Sequence, residues 1–153
     1  EEGGGFTIAM KTFDVTRIGV AAMSIGHARA ALDMAVDYAK KRAVFGKPIA
    51  QYQAISFPLV DVAVGIEAAR FLTFHAAWLM SNGKPFSKES SMAKLYASEL
   101  ASRAALCAMH TYGGYGYMRD FAVERYLRDA KVLEIIEGTS DMQRLVISRK
   151  LFS

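Results

Sequence analysis

The sequence predicts an all-α protein, an up-and-down bundle of four-helix type with additional short helices near its C-terminus. Apolar residues recur every three or four positions through three long segments, which is the spacing of one helix face. Stretches containing glycine or proline separate these segments, and with only three prolines in 153 residues the segments themselves are rarely interrupted. Segments of about 25 residues joined by short connections favour antiparallel neighbours.

The first 13 residues differ from the rest. A glycine-rich opening is followed by a strand-like run at Phe6–Met10, and we interpret this region as the end of another unit. The chain also begins at Glu1 without a methionine, which predicts a fragment or a processed product.

The first long helix is expected to run from an N-cap at Asp14 or Thr16 to about Arg42. The residues Phe45 to Pro48 end it, because glycine and proline interrupt a helix. Its predicted buried stripe consists of Ile18, Ala22, Ile25, Leu32, Val36 and Ala39.

A second helix is expected from about Tyr52 to Met80, ending at Asn82-Gly83. Its predicted stripe consists of Leu59, Val62, Ile66, Ala69, Thr73 and Ala76. Because its other faces are also largely apolar, we expect burial on several sides.

Three further helices complete the prediction. The third spans Ser87 to Tyr112 and ends at Gly113-Gly114. A short fourth helix covers about Asp120 to Arg128. The fifth runs from Ser140 to about Leu151, with Ser140 and Gln143 at capping-box spacing.

Composition and charge exclude several classes. The net charge of +4 is small and basic residues alternate with acidic ones, so a nucleic-acid-binding surface is not predicted. The longest uncharged run, Ala104 to Met118, is too short to span a membrane. A single cysteine excludes an internal disulfide framework and fits a reducing compartment.

Metal and thiol chemistry are also disfavoured. A di-iron bundle needs Glu-x-x-His pairs, and none of the three histidines has a glutamate three residues before it, so no metal site is predicted. Cys107 has His110 three residues away, but its neighbours are apolar, and we interpret it as a buried, inert thiol.

Three segments allow either a structural or a functional interpretation. Glycines between His110 and Met118 allow close approach of a ligand, or simply end a helix in an aromatic-packed turn. Arg42, with Gln53 nearby, offers a fork for phosphate oxygens or complements a helix dipole. Glu137 follows two isoleucines, whose dry setting would make a carboxylate a general base, or it too complements a dipole.

Four motifs that occur in order give these segments a common meaning. They are RAVFGKPI with Gln53, then YGGYGY from Tyr112, then RDAK from Arg128, and then EGTS from Glu137 with Gln143-Arg144. Together they resemble the C-terminal all-helical domain of the acyl-CoA dehydrogenases, flavoproteins that oxidise acyl-CoA thioesters. The resemblance covers essentially the whole chain.

The resemblance implies the setting of this domain. Residues 1–13 would be the tail of a preceding β domain, with Phe6–Met10 as its last strand, and residues 14–153 the C-terminal helical domain. The intact protein would be a homotetramer, a dimer of dimers, that binds FAD and acyl-CoA and passes electrons to an electron-transfer flavoprotein. It would lie in the cytoplasm of a bacterium or the mitochondrial matrix of a eukaryote.

The resemblance also implies roles for individual residues. Glu137 matches the catalytic base, which removes the α-proton while the β-hydrogen leaves as hydride to FAD. Asp14, Arg17 and Gly138 match positions that contact the acyl-CoA. The positions that match FAD contacts are Arg42, Phe45, Gln53, His110, Gly113, Gly114, Thr139, Ser140 and Asp141, with Arg42 on the pyrophosphate of a neighbouring subunit's FAD.

Some positions depart from the family. His110 replaces the usual glutamine, Asp141 is one methylene shorter than the usual Glu or Gln, and Ile136 precedes the base where Tyr often stands. Some subfamilies supply the base from the first helix of this domain, but no glutamate lies near Arg17. Two alternatives stay open: an acyl-CoA oxidase, and a catalytically silent helical module for oligomerisation or binding.

Overall fold

The computed structural model describes residues 3–152 and confirms the all-α prediction. Its helices are α1 Gly5–Lys41, α2 Gln53–Ser81, α3 Ser87–Tyr112, α4 Val123–Ile135 and α5 Ser140–Leu151. Two-residue strands, β1 Ala43–Val44 and β2 Lys47–Pro48, pair antiparallel between α1 and α2. Short 3-10 helices cover Ile49–Gln51 and Gly113–Tyr117.

The three long helices alternate in direction along the chain. At one end of the bundle the Ser87 hydroxyl donates to Asp14, and at the other the Tyr112 hydroxyl donates to the Met34 carbonyl, so α1 and α3 run parallel. The second helix runs the opposite way, because Gly65 lies against Leu100 whereas the earlier Asp61 lies close to the later Cys107. This order confirms the up-and-down prediction.

Alanine side chains fill the contact between α1 and α3. The buried alanines are Ala21, Ala28, Ala31, Ala35 and Ala39 of α1 with Ala93, Ala97, Ala101, Ala104, Ala105 and Ala108 of α3. Small side chains let two helix axes approach closely. The buried face of α1 therefore differs from the predicted stripe. Ala22 is exposed, and the larger Ile25 and Leu32 lie half-buried at the edges of the buried face.

The predicted start of α1 was wrong. The helix begins at Gly5 with Gly4 as its N-cap, so Asp14 and Thr16 lie inside it, and Phe6–Met10 are helical instead of a strand. No breaker separates these residues from the rest of the helix, and extending an existing helix adds a hydrogen bond for each residue ordered. A strand needs a pairing partner, and residues 3–152 offer none to this segment.

The second helix confirms its predicted stripe but not burial on several sides. All six stripe residues are buried, whereas the opposite face is open, with Phe71 74% and Phe74 63% exposed. No part of the chain within residues 3–152 packs over this face. None of the described helices is both long and apolar enough to cross a bilayer.

The last two helices differ from prediction in detail. The fourth begins at Val123 and continues through Ile135, well past the predicted end at Arg128. The fifth begins at Ser140 as predicted, but Thr139 is its N-cap and accepts from the Met142 N–H. The proposed capping box of Ser140 and Gln143 was therefore wrong, because Gln143 is fully buried and bonds elsewhere.

The 3-10 turn after α3 depends on one close approach. A Cβ added to Gly116 would lie 2.7 Å from the Met109 carbonyl oxygen, whereas nothing lies within 4 Å of a Cβ on Gly114. We expect Gly116→Ala to lower the free energy of unfolding of this chain by about 1–3 kcal/mol. Gly114→Ala, the matched control, should change it by less than about 0.5 kcal/mol.

Urea denaturation followed by circular dichroism would measure both variants. Equal losses for the two substitutions would contradict the close approach.

Candidate active site and cofactor surface

The loop between α4 and α5 has an unusual backbone. Glu137 has a φ of 55° and Gly138 a φ of 92°, both in the left-handed region. A non-glycine residue is strained there and persists only when its surroundings hold it. The contacts of this loop therefore decide where Glu137 lies.

The Glu137 carboxylate is bound by the first helix. Thr16 donates a hydrogen bond of 2.6 Å from its hydroxyl to Glu137 Oε2. The sequence interpretation placed Thr16 only as a candidate helix cap and missed this contact. The sequence feature that could have indicated this contact is the position of Thr16 inside the Asp14-x-x-Arg17 segment.

Three buried side chains bind the backbone carbonyls of the loop. Arg17 Nε donates to the Glu137 carbonyl at 3.3 Å, and Gln143 Nε2 donates to the Glu137 and Gly138 carbonyls at 3.1 and 2.8 Å. Lys94 Nζ donates to the Glu134 and Gly138 carbonyls at 3.0 and 2.9 Å. We call Arg17, Lys94 and Gln143 the carbonyl clamp.

The clamp concentrates positive charge beneath the loop. Arg17 and Lys94 are the only basic side chains buried within residues 3–152. Arg17 pairs with Asp14 at 2.8 Å, and Asp14 also accepts from Ser87. Burial lowers the pKa of Lys94 to about 8, although the nearby charge of Glu134 acts in the opposite direction.

Sequence reasoning missed Lys94 and misassigned Gln143. Lys94 lies on a helix face otherwise made of small residues, with Ser90, Ser91, Ala97 and Ser98 as neighbours on that face. A lysine within such a stripe is the signal that could have revealed a buried cation. Gln143 was read as a capping residue because its spacing from Ser140 fits that motif.

The start of α5 completes this end of the molecule. A Cβ on Gly138 would lie 2.9 Å from Gln143 Nε2, so only glycine fits there without displacing the clamp. Thr139 caps the helix, and the Ser140 hydroxyl is buried without a partner in residues 3–152. Asp141 is exposed and pairs with Arg144 at 3.3 Å.

A second group of predicted residues lines a groove at the other end of the bundle. Its volume is about 520 Å³, and its lining consists of Tyr38, Arg42, Val44, Ile49, His110, Thr111, Tyr112, Gly113, Gly114, Tyr115 and Met118. Of the positions matched to FAD contacts, the groove brings together Arg42, His110, Gly113 and Gly114. Phe45, 93% exposed, and Gln53 at the start of α2 lie outside the lining.

The two groups are far apart. Arg17 belongs to the Glu137 group, and Lys41 adjoins Arg42 of the groove. Along α1 the span from Arg17 to Lys41 covers about 36 Å at 1.5 Å per residue. The groups therefore lie at opposite ends of the domain.

The surroundings of Glu137 and of Cys107 can be compared with the predictions from the sequence. The dry setting predicted for Glu137 is not made by this chain, because Ile135 is 55% exposed and Ile136 only half-buried. Cys107 is half-buried and not fully buried as predicted, and this burial raises the pKa of its thiol, which disfavours the reactive thiolate. In the described part of the chain no three His, Cys, Asp or Glu side chains cluster as metal ligands do.

Comparison with known proteins gives consistent matches. The family model "Acyl-CoA dehydrogenase, C-terminal domain" matches residues 3–152. An acyl-CoA dehydrogenase of Bacillus subtilis is 58% identical over 151 residues, 99% of this chain and 40% of that protein. The caffeyl-CoA reductase-Etf complex subunit CarC of Acetobacterium woodii is 52% identical over 147 residues, 96% of this chain and 39% of that protein.

Among solved structures, the butyryl-CoA dehydrogenase of Megasphaera elsdenii is similar with a TM-score of 0.97 and 48% identity. The match covers 100% of this chain and 40% of that one. The chain thus spans about two fifths of the length of the proteins that it matches.

Burial of Lys94 predicts a dependence of stability on pH. Between pH 8 and 10.5 the unfolded chain keeps a proton on Lys94 that the folded chain releases, so stability rises with pH. We expect the unfolding free energy of the wild type, minus that of Lys94→Met, to increase by about 3 kcal/mol over this range.

Urea denaturation at several pH values would measure this difference. Lys131→Met is the matched control, because a hydrogen bond to Glu134 raises the pKa of the exposed Lys131 and its difference should not increase there. A flat difference for Lys94→Met would contradict the buried ammonium.

Proposed function

The chain belongs to the acyl-CoA dehydrogenase family as its C-terminal domain, and from that premise we propose that its parent protein desaturates acyl-CoA thioesters with Glu137 as base. The placement of Glu137 supports this most strongly. Its carboxylate is bound by Thr16, and its carbonyl and that of Gly138 are held by buried donors. Such fixed geometry is what proton abstraction requires.

The proposed chemistry needs two functions from Glu137. The α-proton of a thioester is a very weak acid, so the developing enolate must be stabilised by hydrogen bonds to its oxygen. Glu137 Oε2 is occupied by Thr16, which leaves Oε1 to accept the proton. Within residues 3–152 the Glu137 backbone N–H donates no hydrogen bond, so this group is free to donate one to the thioester oxygen.

The groove supports FAD as the cofactor. Nothing lies within 4 Å of an added Cβ on Gly113 or Gly114, so a ligand can approach the backbone there. Arg42 is exposed beside them and offers a planar fork for phosphate oxygens, while His110 can donate one hydrogen bond. FAD bound by the parent protein would supply hydride acceptance from the β-carbon.

The distance between the two groups supports an assembly. Residues about 36 Å apart along one helix fit two different FAD molecules, as neighbouring subunits of a homotetramer would provide. The open face of α2, with Phe71, Phe74 and Trp78, offers apolar surface for such contacts. The name of the Acetobacterium relative, which includes an Etf complex, supports an electron-transfer flavoprotein as redox partner.

One comparison favours a second direction of the same chemistry. The 52% identical relative is named a caffeyl-CoA reductase, and in that direction a protonated Glu137 would return a proton to the α-carbon. Oxidation by oxygen, as in an acyl-CoA oxidase, and a silent oligomerisation module are the remaining alternatives. Anaerobic addition of saturated acyl-CoAs separates the silent module from the two enzymes, because only a dehydrogenase or oxidase with bound FAD loses its visible flavin absorption. Admitting oxygen afterwards separates those two, because only the reduced flavin of an oxidase is reoxidised rapidly by oxygen.

Replacing Glu137 by Gln in the full-length protein tests the assignment. We expect flavin reduction by saturated acyl-CoA to slow by at least about 100-fold, because the amide cannot accept the proton. Flavin content should not change, since the clamp binds the backbone and not this side chain.

Glu124→Gln is the matched control, because Glu124 lies on α4 and pairs with Arg128 away from the loop. It should keep the wild-type reduction rate. Wild-type turnover in Glu137→Gln would overturn the base assignment.

A further inference from the structure

We propose that Lys94 is a positioning residue for Glu137: its ammonium group holds the carbonyls of Glu134 and Gly138 and thereby fixes the turn that presents the base. Lys94 would touch neither substrate nor cofactor and would act only through the loop. The inference rests on the proposed function of Glu137.

The two carbonyls that Lys94 binds lie on either side of Glu137. One belongs to Glu134, three residues before the base, and the other to Gly138, the residue after it. A single ammonium group at 3.0 and 2.9 Å from these oxygens sets the distance between the two ends of the turn. Lys94 itself has little freedom to move, because its side chain is fully buried.

Helix chemistry explains why a cation suits this position. The Glu134 carbonyl belongs to the last turn of α4, where carbonyls lack partners within the helix. The negative end of the helix dipole also lies there and stabilises a positive charge. Lys94 therefore caps α4 and joins its end to the strained loop in one interaction.

The other members of the clamp do not duplicate this role. Arg17 and Gln143 bind the Glu137 and Gly138 carbonyls but make no bond to α4. Of the three clamp side chains, only Lys94 connects the end of α4 to the residue after the proposed base. Without it no side chain of the clamp holds the left-handed backbone at Glu137, with φ of 55°, to the end of α4.

The buried charge of Lys94 also lowers the free energy of unfolding. Burial lowers its pKa to about 8, so at neutral pH the folded chain holds a charge that its surroundings disfavour. An apolar side chain of similar length would avoid that cost but would leave the Glu134 carbonyl without its donor, while the Gly138 carbonyl keeps its bond from Gln143, so the gain and the loss in stability offset each other in part. A positioning role therefore predicts loss of rate without a matching loss of stability.

The test uses the full-length, flavin-loaded protein with Lys94→Met at pH 7. We expect flavin reduction at saturating acyl-CoA to slow by about 100-fold, because small displacements of a catalytic group have effects of that size. Flavin content and the affinity for a non-oxidisable acyl-CoA thioether should change less than twofold. Backbone amides of residues 136–142 should exchange with deuterium about tenfold faster.

Leu100→Ala is the matched control. Leu100 is buried on the same helix, six residues from Lys94, and packs against Gly65 of α2. Its truncation should therefore lower the unfolding temperature and leave the rate and the loop exchange unchanged. If Lys94→Met does not fold, Lys94→Gln, too short to reach both carbonyls, is measured in the same way. Failure of both to fold would make Lys94 a folding residue and overturn the proposal.

The remaining outcomes separate this inference from the proposed function. A Lys94→Met rate within threefold of wild type, while Glu137→Gln is inactive, overturns this inference alone. A slower rate with unchanged loop exchange overturns it too, because the effect would not act through the loop. Wild-type turnover in Glu137→Gln overturns the proposed function, and this inference with it.

Discussion

The convergence of three buried donors on two consecutive backbone carbonyls is the interaction on which this site depends. Arg17 comes from α1, Lys94 from α3 and Gln143 from α5, and they bind the carbonyls of Glu137 and Gly138. Because each donor comes from a different helix, the packing of the bundle sets the conformation of the loop. A disturbance of the relative positions of these helices would reach Glu137 directly.

The alanine contact between α1 and α3 provides that packing. Its small side chains bring the two parallel helices close enough for Arg17 and Lys94 to bind one loop, and the Arg17 guanidinium contacts the Ser91 hydroxyl of α3. The same contact continues to the other end, where Tyr38 stacks on Tyr112 beside the groove. One close-packed pair of helices thus supports both the proposed catalytic and the proposed cofactor surfaces.

The sequence predicted best what depends on local pattern. The bounds of α3 and the buried stripe of α2 followed from glycine positions and from large apolar residues at helical spacing. The face of α1 was misread because close packing selects alanine, which hydrophobicity alone does not distinguish from exposed alanine such as Ala22. The strand at Phe6–Met10 failed because its residues lack a partner strand within the described chain.

The motif that contains Glu137 could be predicted from the sequence, but the side chains that hold the loop in place could not. Glu137 and Gly138 belong to a recognisable motif, whereas Thr16 and Lys94 act across more than 40 residues of sequence, which a local pattern does not reveal. Within residues 3–152 nothing covers Ile135, so the two isoleucines before Glu137 do not by themselves make the dry setting that their sequence predicted.

The most direct measurement of the central claim is a crystal structure of the full-length protein with FAD and a non-oxidisable acyl-CoA thioether. We expect the Lys94 and Gln143 bonds to the Gly138 carbonyl to persist and a Glu137 carboxylate oxygen to lie against the α-carbon of the analogue. A loop rebuilt around the ligand, or a Glu137 carboxylate directed away from the α-carbon, would contradict it.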